Sequence, residues 1–374
     1  METLFGFAQN IITPEPGEVF LDGYGFRSSS AQGVHDDLYV KVCAVRQENE
    51  TFVIVSLDVC GFGAEIRDLL LGHIAALACI GCDRVALCAT HTHASLACGL
   101  LGDLPLNFMV WHRIGAIVGK TVSKALEQCR PGLLTATEGN GLNSCSNRRG
   151  GAQCDRRVKT LSVWEPAGAL LGVIVSACCH PVLRTDMNIS ADYPAVLTRD
   201  AEKLYRGIPF LFLQGCGGDI NPCFAQKTDY TAGFTMEDAC ERLGGELRDS
   251  VFGALEKAAG NREKPGKLKV SYASVRVPMW DTPPLTDLEA RKKKCREAIA
   301  CIATIEIKSK RGAAADTIIS IPLRNGVRPC ANGVGLSGLL TRRSPERLTI
   351  QRPFRCSCWR FQGKRRSVFC RSSF

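Results

Sequence analysis

Thr51-Phe52-Val53-Ile54-Val55-Ser56-Leu57-Asp58, then Gly61 and Gly63, then Ile66, Leu69, Leu70, Ile74 and Leu77, then Arg84-Val85-Ala86-Leu87-Cys88-Ala89: this stretch decides the fold class. Its first run is apolar and β-branched on both faces, as a strand covered on both sides must be. Its second part repeats at helical spacing, and its third is another buried strand. Strand, helix and strand make a parallel crossover unit. Further along, Val110, Ile114, Ile117, Val118, Val122 and Leu126 line one face of a helix predicted over 108–129, stopped by Pro131-Gly132. Strands are predicted at 133–138, 160–164, 170–177, 209–213 and 268–277, and helices at 236–258 and 285–304. The mixture predicts an α/β layered sandwich of mixed sheets flanked by helices, filling residues 1–318. No repeat at a solenoid period is present.

The 374 residues are 45% apolar, enough for a large core, which excludes a disordered or fibrous chain. The net charge of +10 would suggest an anionic partner. It is localised, however: residues 319–374 hold eleven Arg, one Lys and a single acid, Glu346, while residues 1–318 are near neutral. From about Pro322 onward no period of 2 or 3.6 is found, only Arg, Ser, Pro, Cys and isolated aromatics. GC-rich coding DNA read out of register gives this composition. Residues 319–374 are therefore expected to be a non-native or disordered tail, with the register changing between about 305 and 325. A genuine nucleic-acid-binding tail is the rival reading, disfavoured by the absence of an aromatic platform or an amphipathic period.

Twenty cysteines are present, and the first six residues carry no export signal, so free thiols and a cytoplasmic location are expected. Cys79 and Cys82 have redox or metal spacing, but no second pair follows, and both are expected as buried thiols. The longest uncharged apolar stretch, near 167–179, is shorter than the roughly 18 residues a membrane-spanning helix needs.

Polar groups gather just after three predicted strands, where open α/β sheets place ligand sites. Thr90-His91-Thr92-His93 offers two His at i and i+2, which extended backbone would aim to one side. Cys178-Cys179-His180-Pro181 brings a third His. Gln214-Gly215-Cys216-Gly217-Gly218-Asp219-Ile220-Asn221-Pro222 is a glycine-rich turn that lets backbone approach a ligand, with Asp219 and Asn221 as polar groups. No Gly-Lys-Ser/Thr follows, so it is a poor phosphate loop. Asn147-Arg148 supplies a guanidinium suited to a carboxylate or an oxyanion, or simply a solvated basic turn.

Taken together these motifs resemble the N-terminal catalytic domain of the neutral/alkaline non-lysosomal ceramidases, in particular shorter bacterial members without an Ig-like C-terminal domain. The resemblance runs through Ile12-Thr13-Pro14, Gly23-Tyr24-Gly25, Gly33-Val34-His35-Asp36, Thr90-His91-Thr92-His93, Asn147-Arg148, His180-Pro181, Ser190-Ala191-Asp192-Tyr193-Pro194 and Gly218-Asp219-Ile220-Asn221-Pro222, in order over about residues 8–300. It implies a zinc-dependent amidase of sphingolipid metabolism acting on ceramide or a related N-acyl lipid. On that basis His91 and His180 match zinc ligands, His93 the general acid/base, and Arg148 the group steadying the substrate carbonyl. Gly218 and Asp219 would border the substrate, and Asn221 stands in the place of an active-site serine. The family's other two ligands, a Glu in a Gly-Glu-Val-Phe-like segment and a later Tyr, have no counterpart. Glu346 is the only acid after Asp316, and no Tyr follows Tyr272. Catalytic zinc normally takes three protein ligands and a water. The expectation is thus a ceramidase-like hydrolase lacking two ligands, with a non-catalytic remnant as the alternative and an anion-binding protein acting through its tail as the third. The oligomeric state is not legible in the sequence.

Overall fold

The computed structural model describes residues 2–25, 27–99, 104–224, 235–258, 260–274 and 283–297, with short strand pieces at 355–356, 359–360 and 368–369. The chain divides into two compact units, Met1–Val275 with Pro353–Phe374, and Arg276–Arg352. Of the second unit the described part is a helix at 285–297. The first unit carries the α/β architecture.

Its first half contains β1 (Leu4–Ile11), β2 (Gly33–Val34), β3 (Tyr39–Gln47), β4 (Glu50–Leu57), α1 (Ala64–Ala78), β5 (Val85–Ala89), α2 (Phe108–Glu127) and β6 (Arg130–Pro131). They form a five-stranded sheet of order β5-β4-β3-β1-β6. β4 and β5 run parallel, with Val53 opposite Val85 and Leu57 opposite Ala89, joined through α1 as the crossover pattern predicts. The second half contains β7 (Leu133–Glu138), β8 (Cys145–Asn147), β9 (Lys159–Trp164), β10 (Leu170–Ala177), β11 (Asn188–Ile189), α3 (Pro194–Tyr205), β12 (Phe210–Gln214), β13 (Ile220–Pro222) and α4 (Met236–Ala258). A four-stranded sheet of order β12-β10-β9-β7 results, and β10 and β12 are again parallel.

Period-two alternation explains the layering. Val42, Ala44, Val53 and Val55 face Ile66, Leu70 and Ile74 of α1 and Trp111, Ile114 and Val118 of α2. The alternate residues Cys43, Val45 and Phe52 join Phe5 and Phe7 against Val163, Leu171, Ile174 and Leu211 of the other sheet. The far face of that sheet, through Val173, Val175, Phe210 and Phe212, meets Leu197 of α3 and Leu243, Leu247 and Val251 of α4. Helices, sheet, sheet, helices is the resulting order, and both sheets are covered on both faces. Polar bolts cross the middle: Ser56 Oγ donates to Phe212 O at 2.6 Å, and Lys41 Nζ to Thr198 Oγ1 at 2.7 Å and Phe210 O at 3.1 Å. Burial holds the Lys41 ammonium down to about 8.

Several expectations need revision. Of the strand expected at 268–277 only Ala273–Ser274 is strand among the described residues. Leu268 instead gives its N–H to the Gln47 side chain at 2.5 Å. Cys79 and Cys82 are exposed rather than buried, because Cys79 ends α1 in left-handed backbone at φ 53. The boundary at 318, the end of the helix beyond 297, and all but six residues of the tail 319–374 lie outside the described residues. Among the described residues no helix is long and apolar enough to cross a membrane.

Candidate metal centre

Two pairs of parallel strands, one pair from each sheet, end at one place. After β4 comes Asp58-Val59-Cys60, and after β5 comes Thr90-His91-Thr92-His93; Thr90 N–H donates to Leu57 O at 2.9 Å and His91 N–H to Val59 O at 3.0 Å. After β10 comes His180, whose N–H donates to Ile220 O at 2.9 Å, and after β12 comes the glycine-rich turn. His93 N–H reaches Pro181 O at 3.1 Å and joins the two halves. The extended backbone expected for His91 and His93 is not what aligns them. β5 stops at Ala89, and His91 lies at φ 71, a left-handed conformation that costs a non-glycine residue about 1–3 kcal/mol. Its side chain is nevertheless turned inward, with Nδ1 on Cys60 O at 2.5 Å.

Three imidazoles converge, their centroids 4.6 Å (His91–His180), 5.1 Å (His91–His93) and 5.4 Å (His93–His180) apart. Protonation follows from the acceptors. A carbonyl only accepts, so His91 Nδ1 donates to Cys60 O, and His180 Nδ1 donates to Gly217 O at 2.8 Å. The remaining nitrogens of the two rings, both Nε2, meet each other at 2.9 Å. Burial first, then the neighbouring His91, holds His180 down to about 4, so it stays neutral at physiological pH. Both ring nitrogens of His93 are buried without a hydrogen-bond partner, and burial keeps this ring well below the usual histidine range. Converging ring nitrogens, with His91 and His180 each fixed by a carbonyl on the far side of the ring, suit a metal site. The sulfur of Cys60 adds a soft donor: ligand atoms of Cys60, His91 and His93 all lie within 4.8 Å of one another. Burial pushes the Cys60 thiol up, so without a cation it stays protonated.

The surroundings hold these rings in place. Gly23 lies at φ 88, and a Cβ there would sit 2.4 Å from His93 Cγ. Gly23→Ala is therefore expected to displace His93 and weaken the binding of any metal ion here by about tenfold, as loss of a supporting contact does; unchanged affinity in a chelator competition would refute the packing argument. Arg27 is buried and gives its guanidinium to four carbonyls, Asp22 O (2.9 Å), Asp186 O (2.8 Å), Arg184 O (3.1 Å) and His93 O. Tyr24 hydroxyl donates to Val182 O at 2.7 Å and its ring stands 5.2 Å from His93. Below His180, Asp192 at φ 62 accepts the N–H groups of Leu183 and Arg184 on Oδ2, both at 2.8 Å, and of Tyr193 on Oδ1 at 2.7 Å.

The remaining expected residues form a second rim on the β8–β13 ladder, where Asn221 pairs with Ser146 and Ile220 with Asn147. Arg148 is exposed, donates through Nη2 to Gly218 O at 2.6 Å, and takes Asp219 O onto its own N–H at 2.7 Å. Its positive charge contributes to holding both His93 and His180 down. Asp219 Oδ2 accepts from Asn147 Nδ2 at 2.8 Å, and Asn221 Oδ1 is buried without a partner. Gly218 is open, with nothing near the position a Cβ would occupy. Cys60 and Arg27 are the site residues sequence reasoning missed. Cys60 reads as one more small hydrophobe after a strand, and Arg27 follows the Gly23-Tyr24-Gly25 motif by only two residues.

No known protein-family model matches the sequence, and no curated protein matches it. Solved structures do. A neutral ceramidase from Pseudomonas aeruginosa superposes with a TM-score of 0.65 at 19% identity, over 74% of this chain and 48% of that one. A ceramidase complexed with C2 gives a TM-score of 0.63 at 19% identity, over 74% and 47%. The fold is thus that of these ceramidase structures, and the chain spans about half their length.

Proposed function

We propose that this chain is a member of the neutral ceramidase family and a zinc-dependent hydrolase of a lipid amide, its catalytic part within residues 1–318. The observation that carries the reading is the meeting of His91 Nε2 and His180 Nε2 at 2.9 Å, each ring locked by a carbonyl on its other nitrogen. Those two residues would hold the ion, with His93 or the Cys60 thiolate as the further donors within reach. When bound, zinc polarises an amide carbonyl and brings the pKa of a coordinated water to about 7.

The chain's own groups have the following parts. His93, neutral because it is buried, accepts a proton at one bare ring nitrogen and returns it to the leaving amine. Arg148, fastened to Gly218 O, carries positive charge to the rim where a carbonyl oxygen gains negative charge. The Asn221 carboxamide, its Oδ1 unpartnered, and the open backbone of Gly218-Asp219 would meet the amide end of the substrate. Beside His91 and His180, Cys60 would be the third donor that a catalytic zinc needs in the absence of the family Glu and Tyr.

The purified full chain loaded with zinc, assayed on an N-acyl sphingosine, should release fatty acid, lose activity to a chelator and regain it with zinc. A protein that binds zinc stoichiometrically yet releases no fatty acid from long- or short-acyl substrates would replace this reading with that of a non-catalytic remnant.

A further inference from the structure

Cys145 and Cys154 lie outside the chemistry described above, and their Sγ atoms are 3.7 Å apart, in van der Waals contact. Cys145 is the first residue of β8 and fully buried; Cys154 is half-buried and packs against the same core cluster. No disulfide joins any described cysteine. A disulfide S–S bond is about 2.05 Å, so the two sulfurs need approach by less than 2 Å or so to bond. The segment between them is already folded back on itself: Asn147 Nδ2 donates to Gln153 O at 3.0 Å, and Arg156 Nη2 to Cys145 O at 3.2 Å.

We propose that Cys145 and Cys154 are an oxidative modification site, a thiol pair that hydrogen peroxide converts to a disulfide closing the 145–154 loop. The two sulfurs have different parts. Cys154, the accessible one, reduces peroxide through its thiolate, although burial and the neighbouring Cys145 push its thiol up: its sulfur gains the oxygen of a sulfenic acid and one water leaves. Cys145 then attacks that sulfur, the S–S bond forms, the S–O bond breaks and hydroxide departs, taking up the Cys145 proton as a second water. Overall two thiols are oxidised and one peroxide is reduced to two waters. Contact with the Cys179 thiol, together with Cys154 and Arg156, pulls the Cys145 thiol down to about 7 against the effect of its burial, which suits it to be the attacking thiolate. The loop so closed contains Asn147 and Arg148, whose contacts to Asp219 and Gly218 would then hang from a cross-linked ring.

The test uses the full chain, treated with hydrogen peroxide, blocked with N-ethylmaleimide and mapped by tandem mass spectrometry after tryptic cleavage. Most chains are expected to show the peptides of Cys145 and Cys154 joined with loss of two hydrogens, and dithiothreitol should separate them. Cys154→Ser should abolish the link without altering the far-UV spectrum. If wild-type chains instead show Cys145 alkylated while Cys154 proceeds to sulfinic acid, or show Cys145 joined to Cys179 with Cys154 alkylated, the assignment is overturned. The wild-type map alone decides this, whatever the variant's stability.

Discussion

Replacing His91 with alanine is expected to lower zinc affinity by at least about a hundredfold, more than loss of an outer-shell partner costs. The ring also meets Cys60 O through Nδ1 and His180 Nε2 at 2.9 Å, so His91→Ala should lower the melting temperature somewhat even without metal. Zinc should raise the melting temperature of the parent and not of the variant, since an ion that binds only the native state stabilises it by mass action. With a merely structural histidine, parent and variant would respond to zinc alike. Competition against a chromogenic chelator measures the affinity, and wild-type affinity in His91→Ala would sink the site. Cys60→Ser and His93→Ala divide the remaining question, since whichever costs affinity identifies the third donor.

Asp192→Ala should cost about 4 kcal/mol, because three buried N–H groups lose their acceptor at once and each orphan is worth about 1–3 kcal/mol. The carboxylate collects the N–H groups of Leu183, Arg184 and Tyr193 and so fixes the turn between His180 and α3. For a domain of this size the melting temperature should fall on the order of 10 °C. Asp192→Asn keeps the shape and removes the charge, and it isolates a second effect. Burial outweighs the three donors and raises the Asp192 carboxyl from 3.8 to about 6. Between those values the native chain holds a proton that the unfolded chain has released, so stability from this group is complete below about pH 4 and is lost as pH rises to 6. Such a difference in proton affinity between the native and unfolded carboxyl is worth about 3 kcal/mol. Urea unfolding at several pH values should show the parent weakening across this window and Asp192→Asn flatter. Parallel profiles would mean that Asp192 is already ionised there.

Much of the fold could be read from periodicity because its strands are covered on both faces. The runs at 51–58, 133–138 and 170–177 became β4, β7 and β10 within a residue, and the helix predicted at 236–258 is α4. What escaped reading, besides the strands of two or three residues, was β1, β3 and α3. In β3 the run Tyr39–Gln47 is broken by Lys41 and Arg46, and only the layering explains the lysine, which spans the two sheets to reach Thr198 and Phe210. α3 opens on Pro194 inside a motif-rich stretch that reads as loop. The three histidines were legible as residues following strands, yet their convergence does not come from alternation along one strand. It comes from a left-handed turn at His91 and from two sheets whose strand ends meet, neither of which a local pattern encodes. Cys60 was illegible for a simpler reason: a thiol in an apolar string looks the same whether it fills space or faces a cavity.

The strand ends that meet at this centre belong to distant parts of the chain, and that fixes when it can exist. His91 and His180 are 89 residues apart, and the carbonyl that orients His180 belongs to Gly217. At a synthesis rate of about 10 residues per second, His91 leaves the ribosome roughly ten seconds before its partner. During that interval the first sheet can be complete through β5 while holding one half of a chelate. Contacts of such long range carry a loop-closure cost that slows their formation, so an ion bound at this centre would be captured by an assembled sandwich instead of nucleating it. Zinc scarcity during growth would then yield folded chains awaiting metal, recoverable by adding the ion after synthesis has ended.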